Sequence, residues 1–162
     1  MLDLLLPTYT FNLTYAQKLA ADVPDDQMCA QPVPGRVMNH AAFVLGHLAW
    51  ASDNGLKLLG QEPALTGEWK ELVIMGAKPL ADRSRYPSKE ALLRALENAH
   101  ARLAAAVGSA TPETLAQPAP ERMRTRFPTV GAMLLGLMTA HEASHLGQVS
   151  AWRRAMGFPS VF

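Results

Sequence analysis

Apolar residues recur at helical spacing in four stretches of the chain. In the first, residues 7–22, Leu13, Ala16, Leu19 and Ala20 fall on one face, and Pro24 ends it because proline cannot continue a helix. The second opens at Asn39 as N-cap and carries His40, Phe43, Val44, His47, Trp50, Ala51, Asn54 and Leu58 three or four apart. It stops at Gly60, a residue suited to a left-handed C-cap. The third starts at Ser88 after Pro87, and Leu92, Leu96, Ala99, Leu103 and Val107 form its stripe up to Gly108. The fourth follows Pro128 with Thr129 as cap and continues to Gly157, with Arg153 and Arg154 offsetting the helix dipole in its last turn. No stretch alternates with a period of two between hairpin turns, so the pattern predicts an all-α protein.

The first half of the fourth segment, VGAMLLGLMTA, is apolar on every side. It is expected at the centre of the molecule, enclosed by neighbouring helices or by a subunit partner. Gly136 and Gly147 inside that helix cost roughly 1 kcal/mol each relative to alanine, which predicts close helix contact at both. Residues 61–87, rich in Gly and Pro and containing Trp69 and Tyr86, are too long for a simple hairpin between helices two and three. They predict a crossover along the bundle. The link at 109–128 offers one short capped turn, TPETL.

With 162 residues, 49% of them hydrophobic, the chain is expected to form a single domain over 1–162 and is excluded from the disordered class. A net charge of +1 gives no electrostatic case for nucleic acid. The longest apolar stretch, 130–140, is too short to span a bilayer, and MLDLLLPTY lacks the basic leader of a signal peptide. One cysteine, Cys29, rules out an internal disulfide and fits a cytoplasmic location. Only 18% of residues are charged and eight are methionine, so a second copy is expected to cover part of the surface.

Five histidines carry the chemistry. His141 and His145, four apart on the fourth helix, stack on one face and can close on a single cation. A third imidazole is available from the inward stripe of helix two, where both His40 and His47 lie. His40 sits at the helix start, where a capping role competes, which favours His47. The competing reading is that all these rings are hydrogen-bonded core residues of a non-catalytic dimeric bundle that binds a ligand or partner.

Two metal patterns match only in part. His141-Glu142-Ala143-Ser144-His145 spells the zinc-protease string, but no Asp, Glu or His follows His145 to supply a third ligand. Glu97-Asn98-Ala99-His100 and Glu142-Ala143-Ser144-His145 are two E-x-x-H strings, as in dimetal carboxylate bundles. Helix one offers no acid between Asp3 and Asp22 and helix two only Asp53, so the carboxylates those sites need are missing. Glu97 and His100 then read as ordinary residues of helix three.

NHAAFVLGHLAW in helix two, ADRSRYPSKEALL leading into helix three and HEASHLGQVSAWRRAMG in helix four resemble the DinB-like, or YfiT-like, metal-dependent bundle family over nearly the whole chain. The resemblance implies a four-helix bundle with an up-down-down-up path, a homodimer, and a metal held by His47, His141 and His145. Family members include thiol-dependent S-transferases using glutathione, bacillithiol or mycothiol, and maleylpyruvate isomerases, with hydrolases suspected among them. The implied function is thus a metalloenzyme acting on a small molecule, of transferase or hydrolase type, with a low-molecular-weight thiol as a further cofactor.

Three imidazoles leave a tetrahedral cation one open position, as in catalytic zinc sites. Imidazole also accepts nickel, iron or manganese, with zinc or nickel expected first. Gln148, three residues beyond His145 on the same face, is expected to orient a ligand or a bound water. Glu142, turned about 100° from His141, is a general-base candidate or holds a partner on helix one or two. Trp50 and Asn54, beyond His47, are expected to line the pocket, and Arg122, Arg124 and Arg126 are either solvated loop charge or a mouth for an anionic thiol or substrate.

Overall fold

The computed structural model describes residues 2–161. Its helices are α1 (Leu2–Ala21), α2 (Ala41–Gly55), α3 (Lys89–Gly108), the short α4 (Pro112–Ala116), α5 (Val130–Gly136) and α6 (Glu142–Ala155). A π-helical turn, Leu137–His141, joins α5 to α6, and a 3₁₀ turn, Leu56–Leu59, extends α2 to Gly60 in the left-handed conformation at φ 72°. No strand forms among the described residues; Pro118 and Thr129 make one isolated bridge. The protein is all-α.

Local chemistry accounts for most boundaries. Ser88, Thr111 and Thr129 each accept a backbone N–H three residues on, capping α3, α4 and α5. At α2 the cap is His40 rather than Asn39: its Nδ1 accepts from Phe43 N at 3.2 Å, while the Asn39 amide donates to Gln148 Oε1 at 2.8 Å. Helix α1 starts several residues before the expected position and tolerates Pro7. The amide that proline lacks would have served only the first turn, and burial of Leu5 and Tyr9 holds that turn down.

Helix α1 packs on α3 and α6, and α2 packs on the same two. The enclosed helix is α2, not the fourth segment: every α2 residue except Trp50 and Asn54 is buried, whereas Leu135 in α5 is exposed. Small residues permit this. A Cβ on Gly46 would approach Val73 to 3.0 Å, and one on Gly55 would approach Leu137 to 2.8 Å. Contacts at the two fourth-segment glycines also differ from expectation. Gly136 is pressed by the loop ring of Phe127 rather than by a helix, and a Cβ on Gly147 would meet nothing within 4 Å.

The π turn interrupts what periodicity reads as one helix, and packing explains it. The buried positions Val130, Leu134, Met138, Glu142 and Leu146 are spaced strictly by four. On an α-helix each such step overshoots by about 40°, so the row would drift through about 160°. A turn that holds one more residue absorbs much of the drift and keeps the row on the core.

Two apolar clusters result. One surrounds Leu19, Leu45, Leu96 and Trp152; the other surrounds Leu5, Leu56, Leu103 and Met138. The buried polar residues of the long helices include Asn12 on α1, Ser52 on α2, His100 on α3 and Glu142 on α6. The crossover 61–87 is pinned to the bundle by Asp53, whose carboxylate accepts from Ala64 N, Leu65 N and Arg102. Arg153 does more than offset a dipole. It is 1% exposed and donates to Leu19 O, Asp22 and Pro159 O, closing the end of α1 onto α6. Among the described residues no helix is long and apolar enough to cross a membrane.

Candidate metal centre

His47 lies midway along buried α2, and its Nδ1 is 2.6 Å from Val73 O in the crossover. A carbonyl oxygen only accepts, so Nδ1 carries the proton and the Nε2 lone pair is left facing inward. His145 on α6 is set the same way. Its Nδ1 donates to Gln148 Oε1 at 2.9 Å, and that oxygen is held in turn by Asn39. His141, the last residue of the π turn, brings its Nε2 to 3.2 Å from His47 Nε2. The three ring centroids are 4.6 to 5.2 Å apart, and one nitrogen from each ring fits within 4.8 Å of the other two.

Burial holds all three rings below the ordinary imidazole pKa. For His141 the value falls to about 4, with repulsion from His145, His47 and Arg126 adding to the desolvation. At neutral pH the rings are uncharged and their lone pairs converge. A single N–H can relieve one pair of nitrogens, but not all three.

This donor set fits a divalent cation. Bond lengths of about 2.0–2.1 Å to tetrahedral zinc separate neighbouring nitrogens by roughly 3.3 Å, close to the His47–His141 spacing. His141 Nδ1 is buried without a hydrogen-bond partner among the described residues, so no neighbour fixes the tautomer of this ring as Val73 and Gln148 fix those of the other two. The protein can therefore hold a metal ion at these three residues.

The remaining site candidates divide. Gln148 touches His145 directly, and Trp50 lies alongside His47 with ring centroids 5.8 Å apart. Asn54 is not brought to the cluster; its amide donates to Trp50 O on its own helix. Glu142 turns away from the imidazoles. Its carboxyl is 2% exposed and accepts from His100 Nε2 on α3 at 2.5 Å, and the side chain of Asn12 on α1 also favours its charged form, so it holds the expected partner on helix one together with one on α3. Burial raises its pKa, opposed by the bond to His100. His100 is accordingly not an ordinary helix residue: it is buried and stacked on Tyr9 at 3.8 Å. Its place among Leu96, Ala99 and Leu103 on the inward stripe carried that signal, whereas nothing in the sequence marks the Val73 carbonyl. Of the three loop arginines, Arg126 is close enough to His141 to depress its pKa, while Arg124 donates to Ala119 O.

The family model of the DinB superfamily matches residues 9–149, a span that includes all three imidazoles. No curated protein and no solved structure matches the chain. Because the matched span runs from the first turns of α1 through most of α6, it covers the scaffold that brings these rings together, and the chain belongs to the DinB superfamily.

Proposed function

We propose that this protein is a metal-dependent enzyme acting on a small molecule, with one divalent cation held by His47, His141 and His145. The observation that carries the proposal is the convergence of three neutral imidazoles from α2, the π turn and α6, two of them fixed in the same tautomer by Val73 and Gln148. A divalent ion bound by three imidazoles keeps a position free, where it lowers the pKa of a water or thiol toward neutrality. Thiol transfer and hydrolysis are the reaction classes that such a site serves, and zinc or nickel suits the all-imidazole donor set best, ahead of iron or manganese.

The chain's own groups have defined parts. Val73 O and Gln148 Oε1 hold the protons of His47 and His145 on Nδ1 and aim both Nε2 atoms inward. Trp50 and Phe43, on either side of the His47 ring, give the site an apolar wall. Arg126 favours an anionic substrate or thiol cofactor at the same centre. Along the chain Leu5 precedes Leu19 whereas Leu45 precedes Leu56, Leu96 precedes Leu103 and Met138 precedes Trp152, an order of visits to the two apolar clusters that supports the up-down-down-up bundle path for a single domain, and exposed Leu4 and Leu135 offer apolar surface for a homodimer. A cytoplasmic location fits the single, buried cysteine.

The test is an activity screen of protein carrying its native metal, with small thiols plus electrophilic acceptors in one arm and small esters and amides in the other. Wild type is expected to turn over one class, and His141→Ala to abolish that turnover while leaving the helical circular dichroism signal intact. A bundle with structural histidines predicts no turnover in either arm, and a larger loss of melting temperature than of metal content for His47→Ala.

A further inference from the structure

The π turn that ends on His141 has an external support. In an α-helix the N–H of Glu142 bonds to the carbonyl of Met138. Here that N–H is directed to Thr139 O, and Met138 O accepts instead from the side chain of Asn12 on α1, at 3.2 Å. Asn12 is 5% exposed and Met138 fully buried, so no solvent competes for this carbonyl. A buried backbone acceptor left without a donor costs about 1–3 kcal/mol, and a side chain inserted into the helical ladder is a recognised cause of local unwinding.

The bond belongs to a layer that fixes both flanks of the turn. Past its end, Glu142 accepts from His100; His100 stacks on Tyr9; and Tyr9 OH donates to Ser52 Oγ at 2.9 Å. Within that layer Asn12 alone touches the backbone of the turn itself. Without its amide, the least costly remaining partner for Met138 O is the Glu142 N–H, that is, a return to α-helical pairing. Such a change removes the extra residue from the turn and rotates α6 against α5 by about 100°. His141 and the row Leu146, Val149 and Trp152 could not then all keep their places.

We propose that Asn12 is a positioning residue for the metal centre: by drawing the Met138 carbonyl out of α-helical pairing it holds the π turn open and sets where the His141 imidazole stands relative to His47 and His145. Its connection to chemistry rests on the metal reading of those three rings, while its geometric content does not.

The experiment separates the two. In metal-free protein with labelled histidine rings, nuclear Overhauser contacts are recorded among the three imidazoles, and zinc is then titrated in. Asn12→Leu keeps the size of the side chain and removes the donor; Tyr9→Phe removes a different hydrogen bond from the same layer. Wild type and Tyr9→Phe are expected to show all three ring contacts, with zinc affinities within about twofold of each other. Asn12→Leu should lose the contacts of His141, keep that between His47 and His145, and bind zinc about 10–100-fold more weakly. Asn12→Leu with all three contacts and wild-type affinity overturns the inference. Wild type that shows the contacts but takes up no zinc, beside Asn12→Leu that loses them, contradicts the metal reading and leaves the positioning role standing. Should Asn12→Leu fail to fold, the Asn12 side-chain amide of wild type decides: slow hydrogen exchange with contacts to Met138 supports the inference, and rapid exchange overturns it.

Discussion

Replacing His40 with Asn should remove most of one step in the acid unfolding of this protein. The ring is fully buried, its Nδ1 accepting from Phe43 N and its Nε2 donating to Leu80 O at 2.9 Å. A second proton has to enter at Nδ1, where it meets a backbone N–H and destroys the cap of α2. Burial lowers the pKa from the ordinary 6.5 to about 4, with the backbone of Leu80 and of Met28 opposing in part. Between those values the unfolded chain takes up a proton that the folded chain refuses, so stability falls as pH falls. The contribution is complete above pH 6.5 and drains away toward pH 4. At about 1.36 kcal/mol per pKa unit, about 2–3 kcal/mol is lost between about pH 7.5 and pH 4.5. Asparagine caps helices and carries no charge over this range. Urea unfolding of metal-free wild type and His40→Asn at both pH values isolates the effect, because the other histidines are common to the two proteins and cancel. Wild type should lose about 2–3 kcal/mol more than the variant across the interval. Equal losses in both proteins would refute the buried-cap account of His40.

Gln148→Ala removes the acceptor that sets the His145 tautomer and should weaken zinc binding about 10–100-fold, measured by chelator competition, with little change in melting temperature. Gly147→Ala adds a methyl group where nothing lies within 4 Å and should stabilise α6 by about 1 kcal/mol, raising the melting temperature by roughly 2–4 °C. A fall in melting temperature would show that another surface closes on that position.

Local signals made much of the fold readable. The α3 stripe of Leu92, Leu96, Ala99, Leu103 and Val107 is buried in full, because propensity, capping by Ser88 and periodicity all agree there. Turns that depend on one residue, such as the Thr111 and Thr129 caps and the left-handed Gly60, were equally visible. The three histidines were legible as residues: an i, i+4 pair is a local pattern, and His47 lies on an inward stripe. What spacing hides is set by distant partners. Asn39 is drawn away from α2 by Gln148, so that His40 caps in its place. Glu142 faces His100 because α3 packs on that side, and Leu5 carries α1 past Pro7 through tertiary contact alone. The π turn left a trace in the strict four-residue spacing from Val130 to Leu146, but the apolar character of VGAMLLGLMTA on every side obscured it.

Metal content of the native, untagged protein tests the central claim most directly. Elemental analysis is expected to find about one divalent ion per chain, and His145→Ala, which removes one of the three converging nitrogens, should carry almost none while remaining folded. Wild-type protein that arrives without metal and takes up none from zinc or nickel would contradict the account and leave the three imidazoles as structural members of the core.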